Sequence, residues 1–167
     1  MKLNREKVFL ILNGVGGHKS EMISFIDSFI LDENKYSKLN YIQMGSPIDN
    51  VNFIDSYPLV DIRHKTSNTK SILMAIKSVF MVINNIINIT KKFDVEVVIT
   101  TGPGICILPS FILKYLFKTK IIYFESSCMF YSKTFTGKVM YKIADLFLIQ
   151  NKSLLKIYPK SNFVGRL

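Results

Sequence analysis

Acidic residues are scarce in this chain. Its 167 residues hold 12 Asp and Glu against 22 Lys and Arg, a formal net charge of +10, which favours anionic partners: acidic lipid headgroups, phosphates or nucleic acid. An AT-rich genome also encodes an excess of Lys, Asn and Ile, so charge alone does not choose among them. Cysteine is nearly absent. Cys106 and Cys128 form no paired framework and no metal-ligand spacing, which excludes a disulfide-stapled scaffold and suits a reducing cytosol. The amino terminus lacks the apolar core of a signal peptide, because Lys2, Arg5, Glu6 and Lys7 precede only a short apolar run at residues 8–12. Internal repeats, low-complexity linkers and serine or cysteine nucleophile motifs are all missing.

A long hydrophobic run is missing too. Residues 72–89 carry one formal charge, Lys77, and at about 18 residues raise a transmembrane question. Their periodicity puts Ile72, Ile76, Val79, Ile83, Ile86 and Ile87 on one helical face and Lys77, Asn84, Asn88 and Lys91 on another. That pattern predicts an amphipathic helix over residues 71–92 covering a sheet, not a span. An apolar content of 49% excludes a disordered chain, and the length suits one domain, residues 1–167, or one half of a two-domain architecture.

What is present centres on residues 94–127. Residues 95–100 are β-branched and apolar throughout, as in a parallel strand covered on both faces. Thr101-Gly102-Pro103-Gly104 breaks it, residues 105–117 read as a helix with Pro109 near its first turn, and residues 121–125 form the next strand. Residues 8–12 predict a first strand, followed by Asn13-Gly14-Val15-Gly16-Gly17-His18 and a helix over residues 19–31. Residues 38–44 predict a second strand, residues 45–57 an irregular connection, and residues 59–62 a short extended piece ending at Arg63-His64-Lys65. Beyond the centre, residues 139–144 read as a helix, 146–150 as a strand, 152–158 as a short helix and 162–164 as a last strand. Strands alternating with helices predict an α/β fold, a Rossmann-like doubly wound, mostly parallel sheet with right-handed crossovers.

In such sheets ligands bind outside the carboxyl ends of the strands, so residues 101–104 and 125–127 are expected to face one crevice. The strand, glycine loop and helix at residues 8–31 can hold a phosphate on backbone N–H groups and a helix amino terminus. The spacing is not G-x-G-x-x-G, so a dinucleotide fingerprint is unsupported, and a glycine turn used only for tight packing is the alternative. His18 is placed to act as a base or phosphate donor, or else to cap the helix. Glu21 follows one turn on, to orient His18 or complement the helix end. Glu125 ends a strand, where catalysis and a buried hydrogen bond to loop backbone are both open. Lys114, Lys118, Lys133 and Lys138 are interleaved with Phe111, Tyr115, Phe117, Phe130, Tyr131 and Phe135. That mixture suits an anionic membrane surface, a nucleic acid, or ordinary solvated helix faces. No cluster suits a metal.

Several stretches taken together resemble one family. Gly16-Gly17-His18 with Glu21, Arg63, Thr101-Gly102-Pro103-Gly104, Glu125-Ser126, Thr136-Gly137-Lys138, Ala144-Asp145-Leu146, Gln150, Tyr158-Pro159 and Gly165-x-Leu167 occur in this order. The ordered set is similar to the Alg/PssD/CpsF-type proteins, acceptor-side subunits of two-component glycosyltransferases for lipid-linked oligosaccharide, capsule or exopolysaccharide. The resemblance implies the amino-terminal half of a GT-B enzyme, working with a separate donor-binding subunit at the cytoplasmic face of the cell membrane. It implies a polyprenyl-diphosphate-linked sugar acceptor near Gly14, Gly16, Gly17, Glu21, Arg63, Thr101, Gly102, Gly104 and Ser126, with His18 and Glu125 as candidate catalytic groups. Lys114, Lys118, Lys133, Lys138 and Gln150 would face partner or membrane. It further implies no cofactor held by this chain alone, the UDP-sugar arriving through the partner, and no nucleic acid. Where family members often carry an Arg after the Glu-Ser pair and a Trp after the Gln, this chain has Met129 and Asn151. A non-catalytic scaffold that anchors or activates the partner is the competing expectation, and a basic nucleic-acid-binding domain the third.

Overall fold

The computed structural model describes residues 5–30, 39–49, 51–59 and 68–166. Among these residues seven strands form one sheet in the order β3-β2-β1-β4-β5-β6-β7, every neighbouring pair parallel. They are β1 (Glu6–Leu12), β2 (Tyr41–Met44), β3 (Ser56–Tyr57), β4 (Phe93–Thr100), β5 (Lys120–Phe124), β6 (Leu146–Ile149) and β7 (Asn162–Phe163). The connecting helices are α1 (Gly17–Phe25), α2 (Asn68–Lys92), α3 (Ile107–Phe117) and α4 (Phe135–Ile143).

Strand alternation explains why both faces are covered. Val8, Leu10 and Leu12 of β1 join Val82, Ile86 and Ile89 of α2, Leu113 of α3 and Met140 and Ile143 of α4 in one core. Ile11 points the other way, into a second core with Met22, Phe25 and Ile26 of α1 and the turn after it. Side chains of period two on a sheet buried on both sides must all be apolar, which is why these strands read as unbroken hydrophobic runs. A register shift between Val8 and Phe9 puts Val8 opposite Val95 and Phe9 opposite Val97. The extra residue, Glu96, reaches out to pair with Lys7.

Several boundaries differ from the expected ones for local reasons. The third strand among the described residues is Ser56–Tyr57, within the stretch expected to be irregular, where Gly45 N–H bonds Tyr57 O at 2.9 Å and Asp55 supports both the Ser56 amide and the Tyr57 hydroxyl. Residues 60–62 and Arg63, His64 and Lys65 lie outside the described residues. The helix expected from residue 139 begins at Phe135, because Thr134 caps it, its Oγ1 accepting the Gly137 N–H at 2.7 Å. On α2 the buried stripe is Val82, Ile86 and Ile89 with Ser78 and Asn85, whereas Ile76, Val79, Ile83 and Ile87, expected on the sheet side, are exposed. The helix still covers the sheet, but a second apolar stripe faces outward. No helix among the described residues is long and apolar enough to cross a membrane.

Candidate functional site

The strand order reverses between β1 and β4: from β1 the chain winds outward to β2 and β3, then returns through α2 to β4 on the other side. At such a switch point the loops leaving the two strands diverge and open a crevice at their carboxyl ends. Here those loops are residues 13–17 and 101–104. They are stapled together by α1: His18 Nδ1 lies 2.8 Å from Thr101 O, and Thr101 Oγ1 donates to His18 O at 2.9 Å. A carbonyl oxygen only accepts, so Nδ1 carries a proton, and Nε2 is the ring nitrogen left to meet a ligand. Gly102 lies against the imidazole, where a Cβ would come within 3.1 Å of His18 Cε1. Gly14 abuts the ring of Pro103.

The start of α1 is built without a side-chain cap. Gly16 occupies the capping position at φ 65° and ψ −134°, a backbone conformation that glycine adopts readily and an L-residue does not. No acidic residue stands in the first turn, so the first amides and the positive end of the helix face the crevice uncompensated by a carboxylate of that turn. Gly17 is exposed, with open space where a Cβ would project. Glu21 does not reach His18. Its Oε1 accepts Ser126 Oγ at 2.9 Å, Ser127 N–H at 2.7 Å and Ser127 Oγ at 2.8 Å, tying α1 to the loop after β5.

Glu125 is almost wholly buried, 1% exposed. Its carboxylate accepts the Ser126 N–H at 3.1 Å, the Tyr158 hydroxyl at 3.1 Å and the Thr134 hydroxyl at 3.4 Å. Burial pushes its pKa above the ordinary carboxylate range, and these three hydrogen bonds oppose the shift only in part. Burial and the Glu125 carboxylate raise the Tyr158 pKa likewise. The carboxylate faces inward, under α4, and holds the loop rather than lining the crevice.

Among the basic residues, Lys114 is engaged by Ile143 O at 2.6 Å and Asp145 at 3.0 Å. Lys118 ends α3 in the left-handed conformation, Lys133 lies over the Tyr158 ring at 5.2 Å, and Lys138 is exposed. Gln150, expected at a partner or membrane surface, is instead buried, its amide donating to Glu125 O at 3.3 Å, because it ends an interior strand beside β5. The layer formed by α2, α3 and α4 carries seven lysines and no Asp or Glu. Phe80, Phe111, Tyr115, Leu116 and Phe135 are exposed on it.

The sequence does not single out Thr134, and it marks Asn151 only as standing where a Trp is common, without its role. Thr134 leaves a signal, a threonine three residues before Gly137 at a helix start. Asn151 leaves none: only tertiary structure shows its amide donating to Ser127 O and Met129 O, both at 2.6 Å. Elsewhere, the loop after β2 outlines a cavity of about 600 Å³ beside β3, lined in part by Gln43, Ile48, Phe53 and Tyr57.

Two solved structures share this fold. MurG of Acinetobacter baumannii superposes with a TM-score of 0.63 at 14% identity, over 96% of this chain and 45% of that one. A UDP-N-acetylglucosamine 2-epimerase gives 0.60 at 10%, over 97% and 48%. The chain thus spans about half of each, and the likeness is one of Rossmann-like, GT-B-type fold. Sequence relatives carry the name UDP-N-acetylglucosamine transferase subunit ALG14. The human protein is 26% identical over 95% of this chain and 82% of its own length. That of Kluyveromyces lactis is 27% identical over 96% and 78%. The model of the family described as "Oligosaccharide biosynthesis protein Alg14 like" matches residues 9–167, so the chain belongs to the Alg14 family.

Proposed function

We propose that this chain is the acceptor-side subunit of a UDP-sugar-dependent glycosyltransferase. It binds a polyprenyl-diphosphate-linked sugar in the switch-point crevice and recruits a donor-binding subunit to the cytoplasmic face of the membrane. The product is a lipid-linked oligosaccharide, or a capsule or exopolysaccharide precursor. The observation that carries this reading is the conjunction of an uncapped helix start and a histidine held through Nδ1 at the switch point of a fold matching half of MurG. In the crevice, the amides of Gly16, Gly17 and His18 take the diphosphate, Gly14 and Gly102 letting Pro103 and the His18 ring pack close beneath it, with Gly104 at its edge. His18 Nε2 accepts the proton of an acceptor hydroxyl or, when protonated, donates to phosphate. Glu21 and Glu125 position the loops on either side, and Ser126 is held by Glu21 at the crevice edge. The lysine-bearing helix layer with its exposed aromatics lies against anionic headgroups, with Lys77, Lys138 and Lys118 in solvent. This chain holds no cofactor of its own, and the nucleotide-sugar comes through the partner.

Separating recruitment from transfer tests it. In a reconstituted pair, H18A should lower sugar transfer by about 10²–10⁴-fold, the usual contribution of a positioned acid-base group, while the partner still sediments with acceptor vesicles. Without the partner the chain should show no turnover, since uniting donor and acceptor supplies up to about 7–11 kcal/mol of the barrier. Transfer unchanged in H18A would assign the chain to the scaffold reading. Turnover by the isolated chain would remove the two-subunit reading.

A further inference from the structure

Between α2 and α3 runs an open groove of about 320 Å³. Val79, Val82, Ile105, Ile107, Leu108 and Phe111 line it, with Ser78 and Gly104 the remaining contributors. Gly104, the last residue of the 101–104 loop that meets His18, is thus part of the groove wall, and a Cβ on it would come within 3.5 Å of Thr136. We propose that this groove holds the first stretch of the acceptor's hydrocarbon chain, so that head and tail of one anionic amphiphile are read by adjoining sites, the crevice at residues 13–18 and 101–102 and the α2/α3 groove.

The chemistry of the two ends points to this occupant. The walls are apolar, so an extended polar chain would lose its hydrogen bonds to water there without replacing them. The helices of this layer carry seven lysines and no Asp or Glu of their own, and although Lys92 and Lys114 are paired with Asp55 and Asp145 of neighbouring segments, the exposed Lys77 precedes Ser78 and the exposed Lys138 follows Thr136 by two residues. A tail leading to a negatively charged head is complementary to that surroundings. At roughly 30 Å³ for each water-sized group, the volume accommodates about ten methylene-sized groups. That is a segment, not a whole polyprenyl chain; the remainder continues past Phe111 into the bilayer. The proposal rests on the acceptor reading of the crevice, and its test separates the two.

The purified chain is titrated calorimetrically with inorganic diphosphate and with geranyl, farnesyl and geranylgeranyl diphosphates below their micelle concentrations. The uncharged alcohols form a parallel series. A fully buried methylene multiplies affinity by about 4, and one buried on half its surface by about 2. Ten such groups should raise affinity by about 10³-fold between inorganic and geranyl diphosphate, with little further gain at 15 and 20 carbons. V79W, which fills the groove from its exposed rim, should cut the tail-dependent gain to under 10-fold. I87W, exposed on α2 two turns beyond Val79 and not among the residues lining the groove, should retain it. A flat series, a gain that V79W leaves intact, or a gain that climbs undiminished to 20 carbons as on a bulk lipid surface would each overturn the proposal. So would a flat series combined with V79W losing the donor-binding subunit, which would assign the groove to a protein. If inorganic diphosphate fails to bind but the alcohols still level off near ten carbons and lose their gain in V79W, the groove stands and the headgroup reading falls.

Discussion

Replacing Gly137 by alanine sets two effects against each other. It is the third residue of α4, and in an open helix the change stabilises by up to about 1 kcal/mol, glycine being a poor helix former. Here the new methyl carbon would lie 2.6 Å from the Tyr158 hydroxyl and 2.7 Å from Thr134 Oγ1, and closer still to Glu125 Oε2. None of these groups retreats easily: Tyr158 and Glu125 are buried, and Thr134 is the helix cap. Overpacking of this kind costs about 1–3 kcal/mol, and displacing the cap costs about 1 more. Packing therefore outweighs propensity, and G137A should lose about 1–3 kcal/mol net. For a domain of this length that lowers Tm by roughly 3–10 °C. Urea and thermal unfolding followed by circular dichroism measure it. E125A vacates the space the methyl needs, so the E125A/G137A pair should be less than additive by 0.5 kcal/mol or more, as expected of neighbours on the order of contact distance. A G137A protein as stable as the parent would mean that helix propensity wins and that the Glu125, Thr134 and Tyr158 cluster is not the tight junction described above.

Two further outcomes follow from the same geometry. Glu125 has a folded-state pKa raised above its unfolded value, so its ionisation subtracts stability: the protonated form is favoured in the fold, and stability is lost as pH rises from the unfolded value through the folded one. E125Q should then equal or exceed the parent in urea midpoint at pH 8, the difference shrinking toward zero below about pH 4, under the usual glutamate value; a deficit greatest at pH 8 would refute this. On anionic vesicles at low salt, K77Q/K138Q should weaken partition roughly 30-fold, at about 1 kcal/mol for each lysine near a charged surface, and high salt should release the parent. Binding that only detergent reverses would point instead to insertion of α2.

The central βαβ unit was legible because its signals are local. Thr101-Gly102-Pro103-Gly104 ends β4 at Thr100, and Pro109 sits in the first turn of α3, where its missing N–H is harmless. The third strand was not legible, since Ser56–Tyr57 carries no β pattern and exists through pairing with Gln43 and Met44. On α2 apolar residues surround most of the helix, and periodicity cannot tell the stripe that meets the sheet from the one that faces outward; the positions of β1 and α3 decide it. At the site, the glycine loop and His18 could be named from spacing, but the bond to Thr101, 83 residues away, could not. Glu125 illustrates the limit most clearly: the sequence places a carboxylate at a strand end, and only Thr134, Gly137 and Tyr158 turn it inward.

The claim that the switch-point crevice receives the acceptor's diphosphate is tested most directly by amide shifts in the ¹⁵N-labelled chain titrated with a short-chain, water-soluble diphosphate-linked sugar. The account predicts the largest shifts at Gly16, Gly17 and His18, with smaller ones at Gly102 and Gly104, and a weaker titration in G17A, whose added methyl meets nothing in the protein and so leaves the fold intact. Shifts confined to the cavity beside β3, around Gln43, Ile48 and Tyr57, with residues 16–18 unmoved, would contradict it.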